Sequence, residues 1–418
     1  MMEILPFIVI VMGLVTGLGF LNEKVFKLTH EIGLMLLSVI LGGVLLIIGA
    51  NVSGESVFTI LTSVHIMDIE DFLLHGFLCF MLFAGCSHMH LRDFKEQARQ
   101  VTVLSILATL LCAIFYAVLF YGFSLLVGLN FSFPMCLMFG SIVAPTDPIA
   151  ATSILSKFGL PKKTGFLIEG ESLLNDGVGV ALFVCFSGMV TAEKSGGFFE
   201  VFARELFGAI GIGVAISLVT FLIFYFTKVK KLQIYVSIFA VSCAYLLCEY
   251  FDFSGAIASV VCGVLYATFI AKAEDKGKEW DLNEYDIFWK VADNLLNAIL
   301  YVIMGLSFVR ILQMEHVLIL SLGAIAMNLI ARAASVGVST FVMGPIPDGF
   351  GRWNFIKLLT WGGLRGGLCI ALAMSTKGMI SSDQYCIILG CTYAIAFFTT
   401  VVQGLTMRKV YARMKCTA

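Results

Sequence analysis

Two short stretches inside long apolar runs hold the residue types most able to do chemistry in this 418-residue chain. One is Ala144-Pro145-Thr146-Asp147-Pro148; the other is Gly170-Glu171-Ser172-Leu173-Leu174-Asn175-Asp176-Gly177. A carboxylate at bilayer depth costs about 2.5–3.5 kcal/mol on insertion scales, so such groups face a cavity or a partner. The expectation is a cation or proton site between two neighbouring helices. Glu171 and Asn175 are four residues apart and share a helix face, as do Ser172 and Asp176. Carboxylate, amide and hydroxyl oxygens suit a hard, partly dehydrated monovalent cation. Asp176 is the deepest acid of its segment, so proton and cation compete there for one oxygen pair. Only the neutralised site can cross a low-dielectric barrier, and competition at one carboxylate is sufficient for exchange.

Two buried arginines complete the set. Arg332, near the middle of its apolar run, is the natural partner for Glu171 in a structural ion pair. Arg365 stands inside Trp361-Gly362-Gly363-Leu364-Arg365-Gly366-Gly367, where four glycines interrupt a span. Pro145 and Pro148 interrupt another, since each removes a helix donor and disfavours helical geometry just before it. A broken helix exposes partial charges in mid-membrane, and Asp147 and Arg365 can offset opposite ends. A simple kink explains the prolines but not the charge inside each break. Glu169 reads as a funnel or structural acid, and Asp293 with Asn297 as lesser candidates for the ion path. His88 and His90 flank Met89 at a span end and read as an interfacial pair, because further metal ligands are missing.

The elements that position these residues follow from composition. With 59% hydrophobic and 13% charged residues and a mean hydropathy of +0.97, the chain reads as an all-α polytopic membrane protein. Apolar windows of spanning length fall at about 4–21, 32–50, 71–91, 100–127, 132–156, 164–190, 201–227, 233–251, 254–272, 288–312, 316–343, 355–376 and 384–407. That predicts about 13 transmembrane helices, with Val57–Val64 too short to span. If the C-terminus is cytoplasmic, 21 of the 27 Lys and Arg lie on its side. Only Lys194, Arg204, Arg310 and Lys377 lie opposite, as the positive-inside rule expects for an outside N-terminus. The interrupted fifth and twelfth spans hold equivalent places in two inverted repeats, helices 1–6 and 8–13. The divisions are 1–190 for the first repeat, 191–232 for a connecting helix 7, and 233–418 for the second repeat with a short tail.

Several classes are excluded. Net charge −1 gives no field to attract nucleic acid. Eleven of the twelve cysteines fall in apolar spans and no CxxC occurs, which argues against disulfides and metal clusters. No phosphate loop, nucleophile–base pair or zinc motif appears, so neither an enzyme nor a cofactor is expected.

The segments GSIVAPTDPIAATSIL, LIEGESLLNDGVGVALF and WGGLRGGLCIALAMS together resemble the monovalent cation:proton antiporter-1 family, of the NhaP-type sodium/proton exchangers. The resemblance covers essentially the whole chain. It implies that Asn175 and Asp176 form the Asn-Asp pair of an electroneutral exchange site, with Thr146, Asp147 and Ser172 coordinating or shaping it around Na⁺. It implies that Glu171 pairs with Arg332 and that Arg365 compensates the broken twelfth helix. A homodimer in the cell membrane, moving a core bundle against a dimerisation bundle, is implied as well. Some relatives carry an acid where this chain has Ala84 in Phe83-Ala84-Gly85, which leaves ion preference open. The reading is a secondary antiporter exchanging Na⁺, or Li⁺, for H⁺. Alternatives are a K⁺/H⁺ exchanger of the same fold, or a passive cation channel, against which the missing selectivity-filter loop argues.

Overall fold

The computed structural model describes residues 4–51, 78–87, 96–147, 152, 155, 159–191, 198–278, 280–311 and 317–415, and these are almost wholly helical, without a β-sheet. The helices are α1 (Ile4–Leu21), α2 (His30–Asn51), α3 (Leu78–Cys86), α4 (Ala98–Val127), α5 (Phe133–Val143), α6 (Lys162–Thr191) and α7 (Phe198–Phe226). They continue as α8 (Lys230–Tyr250), α9 (Gly255–Asp275), α10 (Asn283–Ile311), α11 (Val317–Val342), α12 (Arg352–Trp361), α13 (Gly367–Met374) and α14 (Ser382–Met414). Nine helices among the described residues are long and apolar enough to cross a bilayer. Val57–Val64, Pro148 and the His88–His90 pair lie outside the described residues.

Local chemistry sets the helix ends. The Ser132 hydroxyl accepts from the Met135 amide to start α5, with Pro134 in its first turn. Ser381 and Gln384 form a reciprocal capping box at the start of α14. Gly128, at φ 75°, closes α4 in the left-handed conformation that glycine adopts freely. Some helices outrun their apolar windows because their extra turns are amphipathic. In α14, Met407, Tyr411 and Met414 are buried at helical spacing while Arg408 and Arg413 face outward, which carries the helix past residue 407. In α10, Tyr285 and Trp289 bury one face of a first stretch whose other face carries Glu284 and Asp286.

The helices pack as two bundles. One apolar cluster, including Tyr116, Phe120, Phe139, Leu182, Ala324, Leu372 and Cys391, draws α4, α5, α6, α11, α13 and α14 into a core bundle. A second, around Phe83, Phe224, Ala240, Tyr266 and Trp289, joins α3, α7, α8, α9 and α10 into a scaffold bundle. Between them runs a seam in which Val11, Leu34, Met35 and Val302 meet Ile370, Tyr393 and Ala396. The outward faces of α7 and α8 expose Leu218, Leu222, Phe226 and Phe239, as helices bordering hydrocarbon do.

The loop after α11 fastens the core bundle at one end. Asp348, at φ 55°, accepts hydrogen bonds from the Thr164 amide (2.9 Å) and hydroxyl (2.7 Å), so it caps α6 from another part of the chain. Arg99 donates to the Val342 carbonyl at 2.8 Å beside it. Asp348→Ala is expected to lower stability by about 1 kcal/mol, the usual cost of a lost N-cap. A fall in the thermal midpoint of the detergent-solubilised protein, with the helical circular dichroism kept, checks this.

Candidate functional site

The two interrupted spans meet in the core bundle. Past Val143 the chain leaves the helix and runs extended to Asp147, so the predicted fifth span of 132–156 is interrupted in its middle; Thr152 and Leu155, described beyond the break, are helical again. The predicted twelfth span of 355–376 is likewise two helices, α12 and α13, parted by Gly362–Gly366. The two extended pieces pair antiparallel, the Asp147 amide donating to the Leu364 carbonyl at 2.8 Å. Each break therefore supplies a partner for a backbone group that the other leaves without a helical one.

Glycine is required here by proximity. A Cβ at Gly366 would lie 2.9 Å from the Asp147 carboxylate, and one at Gly363 would lie 2.8 Å from Arg332 Nε. The side chains of Asp147 and Arg332 occupy the space those methyl groups would take, which places the Asp147 carboxylate at the N-terminus of α13.

Arg365 is fully buried. Its Nη1 donates to the Ala144 carbonyl and, at 2.8 Å, to the Pro145 carbonyl; its Nη2 donates to Asn328 Oδ1 at 3.0 Å. A cation thus sits where α5 ends and its last carbonyls lack amide partners. Arg365 is itself gripped by α14, whose Thr399 hydroxyl accepts from its amide (3.0 Å) and whose Thr400 hydroxyl donates to its carbonyl (3.3 Å).

Glu171 and Arg332, both buried, form a two-pronged ion pair with N···O distances of 3.0 and 3.1 Å. Arg332 Nε also reaches the Leu359 carbonyl near the end of α12, at 3.4 Å. On α11, Asn328 and Arg332 are one turn apart, so one helix face holds both the acceptor for Arg365 and the partner of Glu171.

Asn175 connects the ion pair to the crossing. Its Nδ2 donates to Glu171 Oε1 (2.9 Å) and Thr146 Oγ1 (2.7 Å), while its Oδ1 accepts from the Thr146 amide (3.2 Å). Reversing the amide would set oxygen against carboxylate and NH₂ against NH, so the network fixes its orientation. The resemblance pairs Asn175 with Asp176 at the exchange site; in the structure its amide turns to Thr146 and Glu171. Thr146 Oγ1 also meets Ser172 Oγ at 3.0 Å, which ties the α6 hydroxyl to the residue just before Asp147.

Asp176 differs from these neighbours. It is partly exposed and makes no hydrogen bond or ion pair among the described residues, yet it lies within electrostatic reach of Asp147, Glu171 and Arg365. Gly177 beside it packs on Ile257 of α9, so Asp176 borders the scaffold bundle. Asp293 and Asn297 bond to each other on α10 at 2.9 Å, and Asp293 is within electrostatic reach of Asp147. Glu169 is held by Thr152, in the segment after the fifth-span break. Ala84 is buried in α3, and its neighbour Gly85 packs against Leu173 of α6.

Sequence reasoning did not single out Tyr301, Asn328, Thr399 or Thr400. Tyr301, buried in α10, donates its phenol hydrogen to Asp147 Oδ2 at 2.5 Å. A signal was available: Asp293, Asn297 and Tyr301 follow at intervals of four, a polar stripe on an otherwise apolar helix.

Comparison with known proteins bears on the whole assembly. The family model described as "Sodium/hydrogen exchanger, transmembrane" matches residues 6–412. The chain is 27% identical to a Na(+)/H(+) antiporter NhaP of Pseudomonas aeruginosa, over 96% of this chain and 95% of that protein. It is 31% identical to a Na(+)/H(+) antiporter NhaG of Bacillus atrophaeus, over 71% of this chain and 56% of that one. The sodium proton antiporter MjNhaP1 of Methanocaldococcus jannaschii has a solved structure with this fold, with a TM-score of 0.76, 99% of both chains covered and 19% identity.

Proposed function

The chain belongs to the sodium/hydrogen exchanger transmembrane family, and from that premise we propose that it exchanges one Na⁺ for one H⁺ by alternating access at Asp176. The observation that carries this reading is the contrast at the crossing. Thr146, Glu171, Asn175, Arg332 and Arg365 are tied into hydrogen bonds or ion pairs, while the carboxylate of Asp176 has no such partner among the described residues. A proton or a hard cation is what such an oxygen pair accepts. Asp147, Ser172 and Thr146 would lend further oxygens to Na⁺, and Asn175 would hold Thr146 in place for it.

Charge balance supports an exchange of one for one. Ionised Asp147, Glu171 and Asp176 against Arg332 and Arg365 leave one negative charge at the crossing. One monovalent cation or one proton cancels it, and a charged site is held back from the low-dielectric barrier. Both forms that cross then carry the same net charge, so the cycle is electroneutral.

The same proposal covers the frame. Thirteen spans would form inverted repeats over 1–190 and 233–418, joined by 191–232, and the broken fifth and twelfth spans at equivalent places support this. The basic residues gathered on one side support a cytoplasmic C-terminus and an outside N-terminus in the cell membrane. The scaffold bundle would carry the contact of a homodimer, with its apolar outer faces turned to lipid or to a second copy. The core bundle would move against it.

The test is dye-reported proton movement in proteoliposomes under imposed Na⁺, Li⁺ and K⁺ gradients. Na⁺ is expected to drive protons at a rate that clamping the membrane potential leaves unchanged. Drive by K⁺ alone reassigns the ion. Current under voltage without proton movement overturns antiport in favour of a channel.

A further inference from the structure

One hydrogen bond at the site joins the two bundles. Tyr301 belongs to α10 of the scaffold bundle, and Asp147 to the extended piece of the core bundle. The Tyr301 ring is packed in the seam with Leu34, Met35, Ile370 and Tyr393, so its hydroxyl is held in place rather than free to swing. The phenol donates to Asp147 Oδ2, one of the oxygens that the proposed function gives to the cation. The carboxylate also stands against Gly366, where no side chain separates it from the start of α13.

We infer that Tyr301 is a positioning residue that competes with the transported cation for Asp147, tethering the core bundle to α10 while the site is empty. This rests on the antiport reading above and adds the element that couples filling of the site to release of the bundle. A phenol donating to an ionised carboxylate stabilises the ion-free state, and hydrogen bonds to charged groups are the stronger ones. A cation that takes the oxygen displaces the donor and removes the tether, since the bond cannot persist when α10 and the crossing slide apart. Tyr301 is the third member of the stripe Asp293–Asn297–Tyr301, so its face of α10 is directed along the seam toward the crossing.

The test compares wild type, Tyr301→Phe, and protein carrying 3,5-difluorotyrosine at position 301. Phenylalanine keeps the ring and removes the donor; the fluorinated phenol keeps the size and donates more strongly. Two readouts are taken: KM for Na⁺ in proteoliposomes, and the Na⁺ concentration at half-maximal thermal stabilisation in detergent, with choline chloride holding ionic strength. Tyr301→Phe is expected to lower both by about tenfold, the worth of one hydrogen bond to a charged group, while the maximal rate changes far less. Difluorotyrosine is expected to raise both. A purely structural role would not give opposite signs in the two variants. Unchanged midpoints, or weaker Na⁺ binding in Tyr301→Phe, overturn the inference and make Tyr301 a support of the site's geometry. Na⁺-dependent stabilisation without Na⁺-driven proton flux in wild type sinks the antiport reading, and the binding readout still decides on Tyr301. If wild type shows neither, no cation binds at Asp147 and both readings fall.

Discussion

Asp176→Asn gives a folded protein that moves no protons when a Na⁺ gradient is imposed. The structural half of this expectation follows from what Asp176 lacks. It accepts no hydrogen bond among the described residues and is partly exposed, so an amide of nearly equal size disturbs no partner. A near-isosteric exchange that breaks no hydrogen bond or ion pair changes stability by no more than about 0.5 kcal/mol. The functional half follows from charge. With asparagine the crossing keeps two carboxylates against two guanidiniums, and the negative charge that calls for a proton or cation is gone. An amide cannot bind and release a proton near neutral pH, so neither half of the exchange proceeds. Loss of Na⁺-driven dye response in proteoliposomes, with an unaltered thermal midpoint and elution profile in detergent, checks both halves. Retained proton flux removes Asp176 from the exchange site.

The membrane fold and the two breaks were legible in the sequence because their signals are local. A carboxylate between two prolines and an arginine among four glycines stand out against apolar runs without any knowledge of what they touch. Glu171 and Arg332 could be matched from depth alone, since each is a charge that hydrocarbon cannot hold singly. The partners of these groups were not legible where contact is remote in sequence and the residue type is unremarkable. The Ala144 carbonyl that Arg365 grasps is 221 residues away from it. Thr399 and Thr400 look like ordinary helical threonines, whose hydroxyls commonly bond within their own helix. Tyr301 is an aromatic in an apolar helix, and nothing in its neighbours marks the phenol as aimed at an acid. Only the interval of four from Asn297 hinted at a polar stripe. Helix ends were misjudged where apolar content gave out before amphipathic turns did, as at Tyr411 and Tyr285. The amide of Asn175 shows a subtler limit. Residue type and spacing place it beside the acids, but only the network with Thr146 and Glu171 says which way it points.

That network makes the Glu171–Arg332 pair the most sensitive structural point in the core bundle. Arg332→Ala leaves Glu171 buried with Asn175 as its remaining partner among the described residues, and Glu171→Ala leaves Arg332 buried with the long contact to Leu359. Removing one member of a buried pair strands a charge, which costs about 3–5 kcal/mol. Glu171→Ala does more, because Asn175 loses the carboxylate that orients its amide and Thr146 loses a fixed neighbour. Replacing both charges together, as in Glu171→Gln with Arg332→Met, strands none and leaves Asn175 an acceptor in the new amide oxygen. The expected order of thermal midpoints in detergent is therefore wild type, then the double variant, then either alanine variant. Activity separates the pair from Asp176, since the double variant removes one charge of each sign and leaves the crossing at one net negative charge. It is expected to keep Na⁺-driven proton movement at temperatures below its midpoint, where Asp176→Asn has none. Equal midpoints for the singles and the double would mean that the pair is solvated rather than buried, and the crossing would then need a different account of what holds Asn175.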